Sequence, residues 1–354
     1  MTPAATSRAI AKDAAPPAPG EPGEPGLSIV IPLFNEAAGL PGLNQRVCEV
    51  LRRLRETRGL RSEIVYVDDG SHDATLAIAR ALPASAADVQ IVALSRNFGK
   101  EAALLAGLDH ARLSAVLFMD GDGQHPPGLI DTLVAHWLDD GYDVVYTAKA
   151  NRENEPLLRR LGVKTFYSMI NWGARQKLPV DAGDFRLLSP RAAAALRQLP
   201  ERNRFFKGLA SWIGFRQIRV DYEPAERAHG STAFQLRSLV GLSIEGLTSF
   251  SVAPLRLASL LGLLLAATAL LFGGIILVQT LIYEESVPGY PSLIVGLMVL
   301  GGVQLIMIGI MGEYIGKILS ELKARPVYFI AEHQVKRADA NADGAAEPAR
   351  TAAE

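Results

Sequence analysis

Short apolar runs alternate with amphipathic stretches from Leu27 to about residue 147, and the period of each stretch predicts its element. LSIVIPLF over 27–34 is rich in β-branched residues and predicts a buried strand. Leu43, Val47, Val50, Leu51 and Leu54 recur at helical spacing, predicting a helix over about 39–57. The same rhythm predicts strands at 63–68, 89–94, 115–119 and 143–147, with helices near 73–82, 99–112 and 127–139. Strands that are apolar on both faces and separated by helices imply βα units and a mostly parallel sheet covered on both sides. Ligands of such sheets sit at the carboxyl ends of the strands.

The pattern changes near the C-terminus. Residues 257–282 and 291–312 contain no Asp, Glu, Lys or Arg. Each run exceeds the roughly 20 residues that span a bilayer core, so a transmembrane hairpin is predicted. Arg237 and Arg256 precede it, Lys317, Lys323 and Arg325 follow it, and its turn carries only Glu284 and Glu285. The positive-inside rule puts both flanks in the cytoplasm. The stretch 234–253 is amphipathic and suits the membrane surface. The expected organisation is a tail over 1–26, a catalytic domain over 27–233, an interface segment over 234–254, the hairpin and its flank over 255–325, and a second tail over 326–354. Both tails are expected to be disordered, the second from about His333, and the first holds no apolar run of signal-peptide length.

Composition adds exclusions. With 36 Lys plus Arg against 37 Asp plus Glu, the net charge of −1 lacks the basic excess of a nucleic-acid binder. One cysteine among 354 residues forms no internal disulfide and fits a cytoplasm-facing chain.

The chemistry concentrates after the strands. Asp120 and Asp122 stand one residue apart at a strand end, point to the same side and can share one hard cation, with the Gln124 amide oxygen as a third ligand. Gly121 and Gly123 are expected to let a bulky ligand approach the backbone, and Pro126-Pro127 to start the next helix. Asp68 and Asp69 also close a strand. They could form an Asx-type turn capping the next helix through Ser71 or Asp73, or accept a hydrogen bond from a nucleobase. Glu36, after the neighbouring strand, offers a further acid for a base or ribose. His125 lies inside the acidic loop, with ligand contact and internal packing equally open.

Taken in order, P-x-x-N-E (32–36), V-D-D-G-S (67–71), S-R-N-F-G-K (95–100), M-D-x-D-x-Q-x-P-P (119–127), G-D-F-R-L (183–187) and R-x-x-G (227–230), ahead of a membrane hairpin, resemble the family 2 glycosyltransferases of the GT-A fold. More closely, the chain is similar to the polyprenyl-phosphate glycosyltransferases, the bactoprenol glucosyltransferase and dolichol-phosphate mannose synthase group. The resemblance covers about 27–325. It implies an α/β fold with a Rossmann-like, mostly parallel sheet, and inverting transfer of one sugar from a nucleotide sugar to undecaprenyl or another polyprenyl phosphate. The two-span architecture makes glucose from UDP-glucose the expected donor. The resemblance assigns Pro32, Phe34, Glu36, Asp68, Asp69, Ser95, Asn97 and Asp120 to the nucleotide, with Arg96 lining the same segment and Lys100 opening the helix behind it. It assigns Asp120, Asp122 and Gln124 to Mg²⁺ or Mn²⁺. It places Asp184 facing the acceptor as a catalytic residue beside Asp122 and Arg227, and Arg204, Lys207 and Arg227 at the lipid phosphate or diphosphate. Arg152, after a strand end in the expected acceptor region, has phosphate-binding and surface roles equally open, and Arg237, one helical turn after Ala233, could supply charge to the diphosphate. Ala233 departs from the pattern, standing where a lysine is frequent.

The implied setting is the inner, cytoplasmic membrane, multi-pass, with the catalytic domain and both termini inside. The implied partners are a nucleotide sugar, a polyprenyl phosphate and the membrane, without nucleic acid. Gly273-Gly274 and Gly301-Gly302 leave room for close helix contact in a homo-oligomer. A processive polysaccharide synthase of the same fold is a weaker reading, because no Arg-Trp pair and only two spans are present. An inactive membrane scaffold is weaker still, because Asp120, Asp122, Asp184 and Arg227 are intact. Cys48 and the arginines at 46, 52, 53, 55 and 58 are expected to be a buried inert thiol and a solvated helix face.

Overall fold

The computed structural model describes residues 24–149, 182–202, 205–223, 253–283 and 289–338. Arg152, Arg204, Arg227, Arg237, Gly230, Ala233 and the segment 234–252 lie outside the described residues. The described chain divides into two compact units, one holding the sheet and its helices and the other two long apolar helices; residues from Pro326 onward belong with the sheet.

The sheet has eight strands in the order β7-β5-β6-β4-β1-β2-β3-β8. In chain order they are β1 (Glu24–Leu33), β2 (Ser62–Asp68), β3 (Asp88–Leu94), β4 (Leu113–Phe118), β5 (Val144–Lys149), β6 (Ala182–Leu188), β7 (Gln217–Tyr222) and β8 (Ile330–Lys336). The helices of this unit are α1 (Leu40–Arg58), α2 (Thr75–Ala81), α3 (Lys100–His110), α4 (Leu129–Leu138), α5 (Pro190–Arg197) and α6 (Phe206–Trp212). β4, β1, β2 and β3 run parallel, and each residue of β2, β3 and β4 is buried, which is why they read as continuous apolar runs. The chain goes outward from β1 through β2 to β3 and then returns to β4 on the other side of β1. The carboxyl ends of β1 and β4 therefore flank a topological switch point, where open α/β sheets bind ligands.

α1 buries Leu43, Val47, Cys48, Val50, Leu51 and Leu54 against the sheet, and the Cys48 thiol is pushed up by burial, as an inert thiol is. Its outer arginines do more than face water. Arg58 forms a two-pronged ion pair with Asp139 at 2.8 Å, and Arg53 pairs with Asp131, linking α1 to α4. Trp137 packs partly buried against the core, Trp212 is exposed, and Trp172 lies outside the described residues.

Two boundaries differ from the sequence reading. β1 begins at Glu24, inside the segment read as a tail, because Glu24 N–H donates to Arg112 O and Leu27 N–H to Arg61 O. The segment from Pro326, read as a tail, instead returns to the sheet as β8. It pairs antiparallel with β3, Val92 opposite His333, and covers what would be an open edge. Tyr328 donates to Asp109 at 2.9 Å, a His333 ring nitrogen meets Gln90 Oε1 at 2.9 Å, and Glu332 pairs with Arg80.

The second unit holds α7 (Ala253–Tyr283) and α8 (Tyr290–Leu322). The windows Ala258–Ile275 and Gly296–Leu322 have mean hydropathies of 2.1 and 1.7 and are long and apolar enough to cross a membrane. Their large side chains lie open, Leu270 at 78% and Met298 at 73% exposure, whereas a soluble core helix would be covered.

Candidate active site

Loops after four neighbouring strands meet at the switch point. Asn35, which follows β1 with φ 56°, donates its N–H to Ser71 Oγ at 3.0 Å and accepts from His72 N–H at 2.9 Å through Oδ1. Asn is among the few side chains that adopt this left-handed backbone readily. Glu36 N–H donates to Thr75 Oγ1 at 2.8 Å, so the loops after β1 and β2 are knitted into one wall. Phe34 stays 42% exposed beside His72, and Pro32 and Glu36 are partly buried.

The two acids after β2 have different roles. Asp69 accepts from Phe98 N–H at 2.7 Å and from Gly99 N–H at 2.9 Å, so both oxygens hold the loop after β3, and burial pushes its carboxyl above the ordinary value. Asp68 accepts from Ser71 N–H at 3.2 Å through Oδ2, the Asx turn, while its buried Oδ1 has no hydrogen-bond partner among the described residues. Asp73, not Ser71, meets the first N–H of α2, accepting from Thr75 N–H at 2.9 Å. A Cβ on Gly70 would come within 2.6 Å of the Arg96 carbonyl carbon and Asn97 nitrogen, so glycine is what lets these loops touch. Ser95 and Asn97 are exposed; the Arg96 guanidinium stacks on Phe98 at 4.0 Å, and Ser95 N–H donates to Phe329 O at 2.9 Å.

Beyond β4 stands the acidic cluster. β4 and β6 are antiparallel with Phe118 opposite Arg186, and that register carried two residues onward sets Asp120 opposite Asp184. Lys100, at the start of α3, reaches between them, its Nζ 2.5 Å from Asp120 Oδ1 and 2.6 Å from Asp184 Oδ2. Lys207 Nζ is 3.3 Å from Asp184 Oδ1. Burial alone would raise the Asp184 carboxyl, but the two ammonium groups outweigh it and hold the carboxyl far below the usual carboxylate range. Asp122 Oδ1 accepts from Gln124 N–H at 3.1 Å and shapes the loop.

His125 is turned inward. It is 6% exposed, stacks on Phe185 at 5.0 Å, and its Nδ1 accepts the Asp120 N–H at 3.1 Å. That bond assigns the ring proton to Nε2, and burial lowers the ring's pKa. A Cβ on Gly121 would meet Leu33 Cδ2 at 2.8 Å and Pro32 O at 2.9 Å, so close packing against β1 requires this glycine. Gly123 has φ +74°, the left-handed turn that swings the loop toward α4.

Sequence reasoning missed three side chains here. Lys100 read only as a helix opener, yet it joins two acids. Tyr222, at the end of β7, lies 5.9 Å from the His125 ring, and burial together with Asp120, Asp122 and Asp184 pushes its phenol up to about 12. Glu101 accepts from Phe206 N–H at 2.9 Å and is pushed up to about 7, chiefly by burial. Lys100 closes the S-R-N-F-G-K motif, but neither that motif nor the place of Glu101 after a strand-end loop signals these contacts.

The residues expected from sequence to hold a metal, Asp120, Asp122 and Gln124, would offer it oxygen donors only. No three His, Cys, Asp or Glu side chains converge among the described residues. Two carboxylates and an amide fit a hard cation that takes its remaining ligands from substrate and water. The Lys100 ammonium against Asp120 marks the spot as one that attracts positive charge.

Comparison with known proteins follows the same lines. The family model described as Glycosyl transferase family 2 matches residues 28–197. An uncharacterized glycosyltransferase of Synechocystis sp. is 42% identical over 86% of this chain and 95% of its own. The bactoprenol glucosyl transferase of Shigella phage SfV is 41% identical over 88% of this chain and 99% of its own, and a prophage homologue from Escherichia coli is 40% identical over 86% and 98%. Among solved structures, a glucosyl-3-phosphoglycerate synthase of Mycobacterium tuberculosis is 18% identical over 63% of this chain and 78% of its own, with a TM-score of 0.41, too distant to bear on the site. With relatives this similar over nearly their whole length, the chain belongs to the family 2 glycosyltransferases.

Proposed function

We propose that this glycosyltransferase moves a single sugar, glucose from UDP-glucose, onto undecaprenyl phosphate at the cytoplasmic face of the inner membrane, with inversion at the anomeric carbon. The observation that carries the proposal is the cluster of Asp120, Asp184 and Lys100 at the switch point of a chain that also has two exposed apolar helices of membrane-spanning length. Relatives named bactoprenol glucosyl transferase support the choice of sugar and acceptor. The basic flanks and acidic turn of the hairpin support a multi-pass chain with the sheet unit on the cytoplasmic side.

The chemistry suits these side chains. The buried Oδ1 of Asp68 has an open acceptor position that a nucleobase N–H would satisfy, and Phe34, two residues before the Glu36 acid, offers an exposed ring. Asp120, Asp122 and Gln124 would hold Mg²⁺ or Mn²⁺, which supplies positive charge to the leaving diphosphate. Arg227 and Arg237 are proposed to add to that charge, and Arg152 and Arg204 to meet the acceptor with Lys207. A lipid monophosphate has a second pKa of about 6 and is mostly dianionic at neutral pH. Its oxygen forms the new bond to the anomeric carbon as the bond to the diphosphate breaks, and no proton has to be removed. Asp184, kept ionised by Lys100 and Lys207, is a weak base; it orients the acceptor side of the site.

The test is transfer by the full-length protein in detergent with UDP-glucose and undecaprenyl phosphate, read by product mass. The expected product is a monoglucosylated lipid phosphate. A different sugar accepted in its place corrects the donor, and no lipid-linked product with any nucleotide sugar overturns the proposal.

A further inference from the structure

The Lys100 side chain is the least expected member of the site. Its ammonium is shared between carboxylates from two strands, the oxygens being Asp120 Oδ1 and Asp184 Oδ2. The lysine is anchored on both sides in sequence. Phe98 N–H and Gly99 N–H are fixed by Asp69, and Glu101 is fixed by Phe206 N–H. The backbone around Lys100 is therefore held, while its own side chain stays 42% exposed on a long flexible stem. Asp120 and Asp184 are both acids and repel at close range, so the ammonium is what lets them face each other.

Resting on the functional reading above, we propose that Lys100 is a positioning residue that acts as the site's internal counter-cation: it holds Asp184 in place, and it yields Asp120 Oδ1 to an arriving divalent cation. An ammonium and a divalent ion compete for the same oxygen lone pairs and repel one another, so one gives way. Lys100 then keeps its second contact, Asp184, and the acceptor-side carboxylate stays fixed while the donor side is loaded. Lys207 lacks this double role. It touches Asp184 at 3.3 Å, and no contact of it with Asp120 is seen among the described residues.

The test is a titration of full-length protein in detergent with Mn²⁺ alone, free Mn²⁺ being read by electron paramagnetic resonance. Lys100→Met is expected to bind Mn²⁺ about tenfold more tightly than the wild type, because a competing charge in direct contact is gone. Lys100→Gln, which keeps hydrogen-bonding capacity if the Met variant fails to fold, is expected to shift in the same direction. Lys207→Met is expected to change the affinity less than about threefold, since it acts only through the field. Unchanged or weaker Mn²⁺ binding in the folded Lys100 variants, or an equal gain in Lys207→Met, overturns the inference. In turnover, Lys100→Met is expected to lower kcat about a hundredfold without raising the donor KM, as a misplaced carboxylate would, and Lys100→Arg to recover part of it. The Mn²⁺ titration needs neither sugar nor lipid. A failed transfer assay with a normal titration therefore sinks the proposed function alone, and unchanged titrations with normal transfer sink this inference alone.

Discussion

The Nδ1 of His125 accepts the backbone N–H of Asp120 at 3.1 Å, so the residue that follows β4 is positioned by a ring five residues further along the same loop. The ring is fixed in turn by its stack on Phe185 of β6. His125→Ala removes both supports and leaves the Asp120 N–H without its acceptor. We expect a loss of about 1–3 kcal/mol in stability and a raised donor KM. His125→Asn, which offers a side-chain acceptor without the stack, should recover part of the KM and little of the stability. Thermal unfolding in detergent and initial rates with varied donor check both; unchanged KM in His125→Ala would remove the ring from the account of the loop.

Asp68 and Asp69 are neighbours with opposite expectations. Asp69→Asn keeps one acceptor oxygen for two N–H donors, so the loop from Ser95 to Gly99 loosens and the melting temperature falls. Asp68→Asn keeps an oxygen that can serve the Ser71 N–H and changes the other position from acceptor to donor. Its melting temperature should stay near the wild type while affinity for UDP falls about tenfold or more. Calorimetric UDP titration of both variants decides it, and the reverse pattern would exchange the two roles.

How far these relationships could be read from the sequence depends on their span along the chain. β1 to β4 and the acids behind them were legible, because fully buried parallel strands are continuous apolar runs and ligands gather at their ends. The Lys100 contact was not, since its partner Asp184 lies 84 residues away and is brought across from Asp120 by the antiparallel register of β4 and β6. β8 was hidden for another reason. Its sequence, IAEHQVK, is polar and follows a long apolar helix, so it resembles a tail until β3 offers it an edge. His125 was left open because a buried hydrogen bond to the backbone leaves no mark in residue spacing.

Glu101 gives the sheet unit a pH dependence whose sign can be worked out. Burial raises its carboxyl from 4.5 to about 7, so the folded protein holds a proton there that the unfolded chain has already lost between those values. Stability is then fully present below about pH 4.5 and is lost as pH rises through about 7, by at most about 3 kcal/mol. Glu101→Gln keeps an oxygen for the Phe206 N–H and carries no charge. Its unfolding midpoint should exceed that of the wild type above pH 7, the gap closing toward pH 5. A constant gap across that range would show that Glu101 does not titrate there.

The contacts of β8 make the segment after the second long helix part of the catalytic sheet. Removing it would bare the edge of β3 and break Tyr328 from Asp109, His333 from Gln90 and Glu332 from Arg80. It would also remove Phe329, whose carbonyl accepts the Ser95 N–H and whose ring lies 6.3 Å from Phe98, so the effect reaches the loop that carries Lys100. A chain ending at Arg325 keeps both apolar helices, yet we expect it to aggregate or to unfold at a markedly lower temperature, because an unpaired edge strand costs stability and invites association. Tyr328→Phe, a milder change, should cost about 1 kcal/mol through its lost hydrogen bond and leave transfer intact. Size-exclusion profiles and melting curves of the two variants in detergent test this. A monodisperse, fully active chain ending at Arg325 would mean that β8 covers the edge without supporting it.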